Sequence, residues 1–380
     1  MSNGEAGAAS GNPREAPAAS GVGESRSAQI AEVLAWTGLR VGILANSAGR
    51  GKSGGPDLAS MARERLAALG GLVVEVAPDL DVGEQLKALR LERPAPDVIV
   101  AAGGDGTINA GAALAIQSGA TLVVVPAGTM NLMARDLDMP LEPREVIEAF
   151  DRLTIRQIDS AAANEHAFLH SSLMGLVPAM AVLREAFRKQ RGFAARWRTA
   201  VAMVRTAFGA PKLRLRLETP GGSRVMSTRS LAVACNLLAG ETLGSHRRVA
   251  LDAGVLGVYV STHRGRLAPL RIIATLATGR LPQDPQTLTL QCRSLRVDSR
   301  RRFVRLSNDG EVIWASTPIL FRVLPRSLRV AVPMTKPAVV ATPDAISETT
   351  ASAVAAEASG TGGPVEAPIA VIVPAPGAAT

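Results

Sequence analysis

Residues 103–107 read Gly103-Gly104-Asp105-Gly106-Thr107, directly after an apolar run and ahead of a helical pattern. Glycines at such a turn let backbone N–H groups close on phosphate oxygens where a Cβ would collide. A helix opening near Thr107 adds its positive end and its free N–H donors. An acid inside a phosphate loop is out of place unless it meets a metal, a ribose or a fixed donor, so Asp105 points to Mg²⁺–nucleotide chemistry more than to helix capping. Gly128-Thr129-Met130-Asn131 repeats the arrangement after the next apolar run, and Arg135 and Asp136 follow one turn on, within reach of phosphate and metal. Taken alone, that segment also reads as an N-cap by Thr129. A third loop runs from Asn46 through Gly51-Lys52-Ser53, but Asn46 stands where the first Gly of G-x-x-x-x-G-K-[ST] belongs. It reads as a flexible basic loop donating to phosphates. Asn308-Asp309-Gly310-Glu311 lies between two strand patterns and is, by itself, strong hairpin-turn chemistry.

Loops of this kind need strand ends to hold them. Leu39–Ala45, Leu72–Ala77, Asp97–Ala102 and Thr121–Pro126 are near-continuous apolar runs, as parallel strands covered on both faces require. Helical patterns alternate with them at Asp57–Ala68, Val82–Leu91 and Thr107–Gln117, which predicts an open α/β sheet with its ligand loops at the carboxyl ends of the strands. After about Arg156 the pattern turns to short strands: Arg156–Ala162, Ala167–Met174, Lys212–Glu218, Arg229–Asn236, Val255–Ser261, Thr287–Leu295, Phe303–Leu306 and Glu311–Trp314. The expected organisation is α/β in two domains. An N-terminal open α/β nucleotide-binding domain spans 38–155, with 319–335 returning to it, and a C-terminal antiparallel β-sandwich spans 156–318. Residues 1–37 and 336–380, rich in Ala, Gly, Pro, Ser and Thr, are expected to be disordered.

The bulk numbers exclude some classes. No apolar run approaches the roughly 18 residues needed to cross a bilayer, and the N-terminus has no secretory h-region, so a cytoplasmic protein is expected. Two cysteines, Cys235 and Cys292, make neither a disulfide framework nor a metal cluster. The net charge of +9 calls for a polyanionic neighbour, and with aromatics at only 3% there are few stacking platforms, so nucleic acid is not the expected one. Leu183–Phe208 carries seven basic residues against one acid, Glu185, interleaved with Phe187, Phe193, Trp197, Met203 and Phe208. Such a basic amphipathic helix pair suits an anionic membrane surface, although solvated arginines on ordinary packed helices would give the same pattern. The four histidines have no ligand spacing.

Together the motifs resemble the diacylglycerol kinase catalytic family, which includes bacterial lipid kinases and sphingosine and ceramide kinases. The resemblance runs from about Val41 to Pro333. It rests on Asn46…Gly51-Lys52, GGDGT at 103–107, GTMN at 128–131 with ARDLDMP at 134–140, DGE at 309–311 and PRSLRVAVP at 325–333. It implies ATP and Mg²⁺, with the nucleotide on Asn46, Lys52, Gly103, Gly104, Asp105, Gly106, Thr107, Gly128, Thr129 and Asn131, and a metal near Asp105 and Asp136. It also implies that Glu311 is the general base toward a lipid hydroxyl, assisted by Asp309. The implied partners are a lipid substrate and the inner face of an anionic membrane, peripherally bound; a homodimer stays open. GGDGT alone also fits an NAD kinase-like enzyme acting on a soluble substrate, and a catalytically weak lipid-binding regulator is the remaining alternative. Three positions depart from the family pattern: Leu132 where relatives carry Asp, Ser171–Gly175 (SSLMG) where a small-residue SGGFG is usual, and Asp252–Leu256 (DAGVL) in place of Asp-Gly-x-Leu.

Overall fold

The computed structural model describes residues 32–46, 57–77, 80–189, 192–210, 212–240 and 246–334. After a two-residue strand β1 (Glu32–Val33), the apolar runs become β2 (Arg40–Ala45), β3 (Leu72–Val73), β4 (Val98–Gly103) and β5 (Thr121–Pro126), all parallel in the order β5-β4-β2-β3. Every residue of β4 and β5 is buried, as for strands covered on both faces. Helices α1 (Leu58–Ala68), α2 (Val82–Leu91) and α3 (Asp105–Ser118) connect them. Asp57 and Asp81 cap the first two by accepting the N–H of Ala59 and Glu84. The strand expected over Leu72–Ala77 ends at Val73, although Val74 and Val76 stay buried in the same core. The helix expected from Thr107 begins two residues earlier, with Gly104 as its N-cap. Two short helices, α4 (Leu132–Asp136) and α5 (Pro143–Glu148), complete this lobe.

β6 (Leu153–Ala163) turns at Asn164-Glu165 into β7 (His166–Phe168), so the strand expected over Ala167–Met174 is divided between two sheets. The chain then continues through β8 (Ser171–Gly175), α6 (Leu176–Lys189), α7 (Phe193–Gly209), β9 (Leu213–Thr219), β10 (Gly222–Thr228), β11 (Ser230–Cys235), β12 (Leu256–Ser261) and α8 (Ala268–Ala277). It ends with β13 (Thr287–Cys292), β14 (Ser294–Ser299), β15 (Phe303–Asn308), β16 (Glu311–Ser316) and β17 (Ile319–Pro333). One sheet is wholly antiparallel, in the order β13-β12-β11-β8-β15-β16. The other runs β10-β9-β14-β17-β5-β4-β2-β3 and is therefore continuous with the parallel sheet. Phe168, Leu215, Leu217, Val233, Val258, Leu306 and Phe321 fill the sandwich between them. The single strand expected over Thr287–Leu295 is two strands in different sheets, because the chain crosses from one to the other at Arg293. β10, exposed along most of its length, has only the adjacent Val225 and Met226 as apolar residues, shows no alternation and was not anticipated.

β17 belongs to both lobes. Its first half pairs with β14, and its second half lies parallel to β5 through Arg329↔Thr121 and Val330↔Leu122. β6 accompanies it antiparallel throughout, with a register shift between Leu324 and Leu328.

Candidate functional site

β4 and β5 end side by side, with Gly103 opposite Pro126 and the Ala127 N–H donating to the Gly103 carbonyl at 2.8 Å. The two glycine loops are in backbone contact: a Cβ on Gly128 would stand 2.6 Å from Gly104 Cα, and one on Gly103 would stand 2.6 Å from Thr107 Oγ1. Glycine is required there by close approach. Asp105 ties the loops together, its Oδ1 accepting the Leu132 N–H at 2.8 Å. The acid thus has its fixed donor in the protein, and the other oxygen takes no hydrogen bond among the described residues. Asn131, at φ 50° and buried, closes its loop on itself. Its Oδ1 accepts the Gly128 N–H at 2.9 Å and its Nδ2 donates to the Gly128 carbonyl at 3.1 Å. Thr129 and Gly106 are exposed beside the first turn of α3, whose leading N–H groups have no acceptor within the helix. Asn46 joins this end of the sheet, its N–H donating to the Ala102 carbonyl. Lys52 lies outside the described residues.

Asp136 is not placed as a metal ligand. Its Oδ1 accepts the Arg248 N–H at 3.0 Å and its Oδ2 accepts Arg248 Nε–H at 2.8 Å, in a pair whose side chains are 1% and 0% exposed. Arg248 Nη1 donates onward to the Leu169 carbonyl at 2.8 Å. The Leu169–Ser171 segment then turns its own N–H groups on Asp309. Leu169 donates to Oδ2 at 2.6 Å, and His170 and Ser171 donate to Oδ1 at 2.9 and 2.7 Å. Asp309, itself at φ 47°, returns its N–H to the Ser171 carbonyl at 2.8 Å. Both its oxygens carry donors, so Asp309 holds the turn where the resemblance implied assistance at a metal. Glu311, across the turn opposite Asn308, is exposed and has no hydrogen bond or ion pair among the described residues. Asn308 accepts Ser172 Oγ–H at 2.5 Å and keeps a buried Nδ2 with no partner among the described residues. Among those residues no three His, Cys, Asp or Glu side chains group as a metal site.

A continuous polar chain therefore runs from the second glycine loop through α4, Arg248 and Leu169–Ser171 to the Asp309–Glu311 turn. Sequence reasoning missed Arg248 and passed over His170. His170 is buried against Arg248, and burial first, then that cation, pushes its pKa below the ordinary 6.5. It is a neutral ring whose Nε2–H donates to the His246 carbonyl at 2.7 Å. Arg248 lies 112 positions from Asp136, inside a His-Arg-Arg run that resembles any basic turn. Of the three departures, Leu132 contributes through its backbone N–H, and Asp252 forms an exposed pair with Arg156 at 3.3 Å.

Residues 40–163 match the model of the diacylglycerol kinase catalytic domain, and residues 181–332 match that of the YegS C-terminal NAD kinase beta sandwich-like domain. The chain thus carries a diacylglycerol kinase catalytic domain at residues 40–163. It is 23% identical over 241 residues to an uncharacterized protein of Synechocystis sp., a match covering 62% of this chain and 55% of that one. It is 43% identical over 79 residues to the "Probable lipid kinase YegS-like" of Pseudomonas aeruginosa, covering 20% of this chain and 26% of the relative. The chain thus spans about half the length of the first and about a quarter of the second. A crystal structure titled as a diacylglycerol kinase from Bacillus anthracis str. Sterne shares the fold with a TM-score of 0.54 at 17% identity, over 80% of this chain and 98% of that one.

Proposed function

We propose that the protein is an ATP-dependent lipid kinase that phosphorylates a hydroxyl of diacylglycerol or a related lipid, ceramide and sphingoid bases included. The observation that carries this reading is the polar chain tying the two converging glycine loops to the turn that bears Glu311. In this reading the loops and the N-terminus of α3 bind the ATP phosphates. Glu311 accepts the proton of the lipid hydroxyl as its oxygen bonds to the γ-phosphorus and the bond to the ADP oxygen breaks. With Asp136 and Asp309 engaged by protein donors, the unengaged oxygen of Asp105 is the group that would hold the Mg²⁺ of Mg–ATP, which would neutralise phosphate charge.

Two features support a lipid acceptor met at an anionic surface. A groove of about 560 Å³ lies between α6–α7 and the outer side of β15–β16, lined by Met174, Ala179, Leu213, Phe303 and Trp314, with Arg205, Arg301 and Arg305 around it. On α7, Trp197, Val201, Val204 and Phe208 form an exposed stripe at helical spacing, flanked by Arg198 and Arg205. Among the described residues no helix is long and apolar enough to cross a membrane.

The test is transfer of labelled γ-phosphate from ATP to a panel of lipids in mixed micelles, wild type beside Glu311→Ala. Labelling of one lipid class, reduced at least 100-fold by the substitution, supports the kinase and names its substrate. With folded protein and Mg²⁺ present, absence of transfer to any lipid removes the reading and favours a binding regulator.

A further inference from the structure

A second pocket, of about 450 Å³, shares no lining residue with the glycine loops, the Asp309–Glu311 turn or the groove beside α7. It opens where β10 hands over to β11 and where β12 ends, lined by Lys212, Val225–Arg229 and Thr262–Arg264. Lys212, Arg229 and Arg264 bring three positive charges to it, and no carboxylate lines it. The acid closest in the hydrogen-bond network, Asp284, is engaged by His263 at 3.5 Å, Thr287 Oγ1 at 2.7 Å and the Gln286 N–H at 3.1 Å. The hydroxyls of Thr228 and Thr262 donate to carbonyls, of Ser261 at 2.7 Å and of Gln286 at 2.9 Å, so they form fixed walls and leave the cations and the Ser227 hydroxyl as side-chain donors to the pocket.

Arg229 is the informative residue. Its Nε and Nη1 are shut off from solvent and have no hydrogen-bond partner among the described residues. Donors left unmade on a largely desolvated guanidinium leave its charge poorly compensated, and an oxyanion meeting the part of Arg229 that lines the pocket compensates that charge. Two further cations at the rim favour the dianionic, three-acceptor geometry of a phosphate over a carboxylate. The volume falls in the range of small-ligand sites and exceeds what an inorganic phosphate fills, while Val225 and Met226 offer apolar wall to a substituent.

We propose that this pocket binds a phosphate-bearing ligand, its phosphate seated on Arg229 and closed over by Lys212 and Arg264. The inference does not rest on the lipid-kinase reading. Occupancy reaches α6 through the backbone, because the Arg229 carbonyl accepts the N–H of Leu176, the residue on which that helix begins, at 2.9 Å. A ligand on the Arg229 side chain therefore steadies the joint from which α6 and α7 extend.

The experiment measures binding of inorganic phosphate and glycerol 3-phosphate to the full chain by titration calorimetry. In parallel, the chain is co-sedimented with phosphatidylglycerol–phosphatidylcholine vesicles and with phosphatidylcholine vesicles alone. Wild type, the rim variant Lys212→Ala/Arg264→Ala and Arg229→Met are compared, with circular dichroism confirming folding. Binding of at least one probe, weakened tenfold or more by the rim variant, is the expected result. Binding of the soluble phosphates identifies a free phosphate ester as the source, and binding confined to phosphatidylglycerol vesicles identifies a lipid headgroup. The rim residues are exposed, so that variant decides the matter even where Arg229→Met does not fold. Wild-type binding to none of the probes, or binding undiminished in the rim variant, overturns the proposal.

Discussion

Arg248 and Asp136 form an ion pair with no access to water, and its energetics follow from that. Removing one partner leaves the other's charge buried and unpaired, which costs about 3–5 kcal/mol, whereas replacing both by apolar groups of similar volume is often neutral. Arg248→Met is therefore expected to lower stability by about that much, and Asp136→Leu/Arg248→Met to recover most of the loss, as read from urea midpoints. His170 beside them makes a pH-dependent contribution. Around its ring stand Arg248, Asp136, Asp309 and the His246 carbonyl, and burial against Arg248 holds its folded pKa below 6.5. The unfolded chain takes up the proton first as pH falls. The stability is thus whole above pH 6.5 and is lost below it, with a slope from this group of at most about 1.4 kcal/mol per pH unit. His170→Gln should flatten the stability–pH curve between pH 6.5 and 5 relative to wild type. Curves that stay parallel there would exclude the assignment.

At the scale of elements, α7 shows a helix whose two sides answer to different surroundings. Ala207 is buried, yet Trp197 is 62% and Val204 57% exposed, an arrangement that suits a headgroup boundary. Trp197→Ser/Phe208→Ser is expected to weaken binding to anionic vesicles tenfold or more and to raise the lipid KM while leaving the ATP KM in place. Because both side chains already face solvent, stability should move by no more than about 0.5 kcal/mol. Legibility in the sequence follows a similar division. Strands buried on both faces (β4, β5) and capped helices (α1, α2) were readable because local composition and tertiary environment agree. β10 was not readable, since its two apolar residues, Val225 and Met226, are adjacent and give the exposed strand GSRVMST no alternation. The crossing at Arg293 is marked only by a one-residue slip of the inward-facing set, from Leu288, Leu290 and Cys292 to Leu295 and Val297, and strand-like composition on both sides hides it. In the site, the glycine loops were visible as short contiguous motifs. Arg248 was not, because its partner is brought to it by the fold alone.

The whole molecule turns on β17, which makes one sheet of the two lobes, and on the irregularity where it passes between them. There Arg326 adopts φ 49° and β17 shifts register on β6. One fully buried carboxylate pins this point: Asp159 Oδ1 accepts the Arg326 N–H at 2.8 Å, while Oδ2 accepts the Gly254 N–H at 2.7 Å and Asn236 Nδ2 at 3.1 Å. The register shift in β17, the end of the loop before β12 and the end of β11 are thereby fastened to β6 by a single side chain. Asp159→Ala would leave three donors unmade, and the fully buried one, Asn236 Nδ2, alone costs about 1–3 kcal/mol before the structure relaxes. Because those donors sit at the passage between lobes, the loss should also change cooperativity. With β17 and β6 intact, wild type should melt in a single calorimetric transition, whose calorimetric and van't Hoff enthalpies agree. Asp159→Ala should melt at lower temperature with the van't Hoff enthalpy below the calorimetric one, as each lobe begins to unfold without the other. A variant that melts earlier but still as one unit would mean that the paired backbone of β6 and β17, more than the carboxylate, couples the halves.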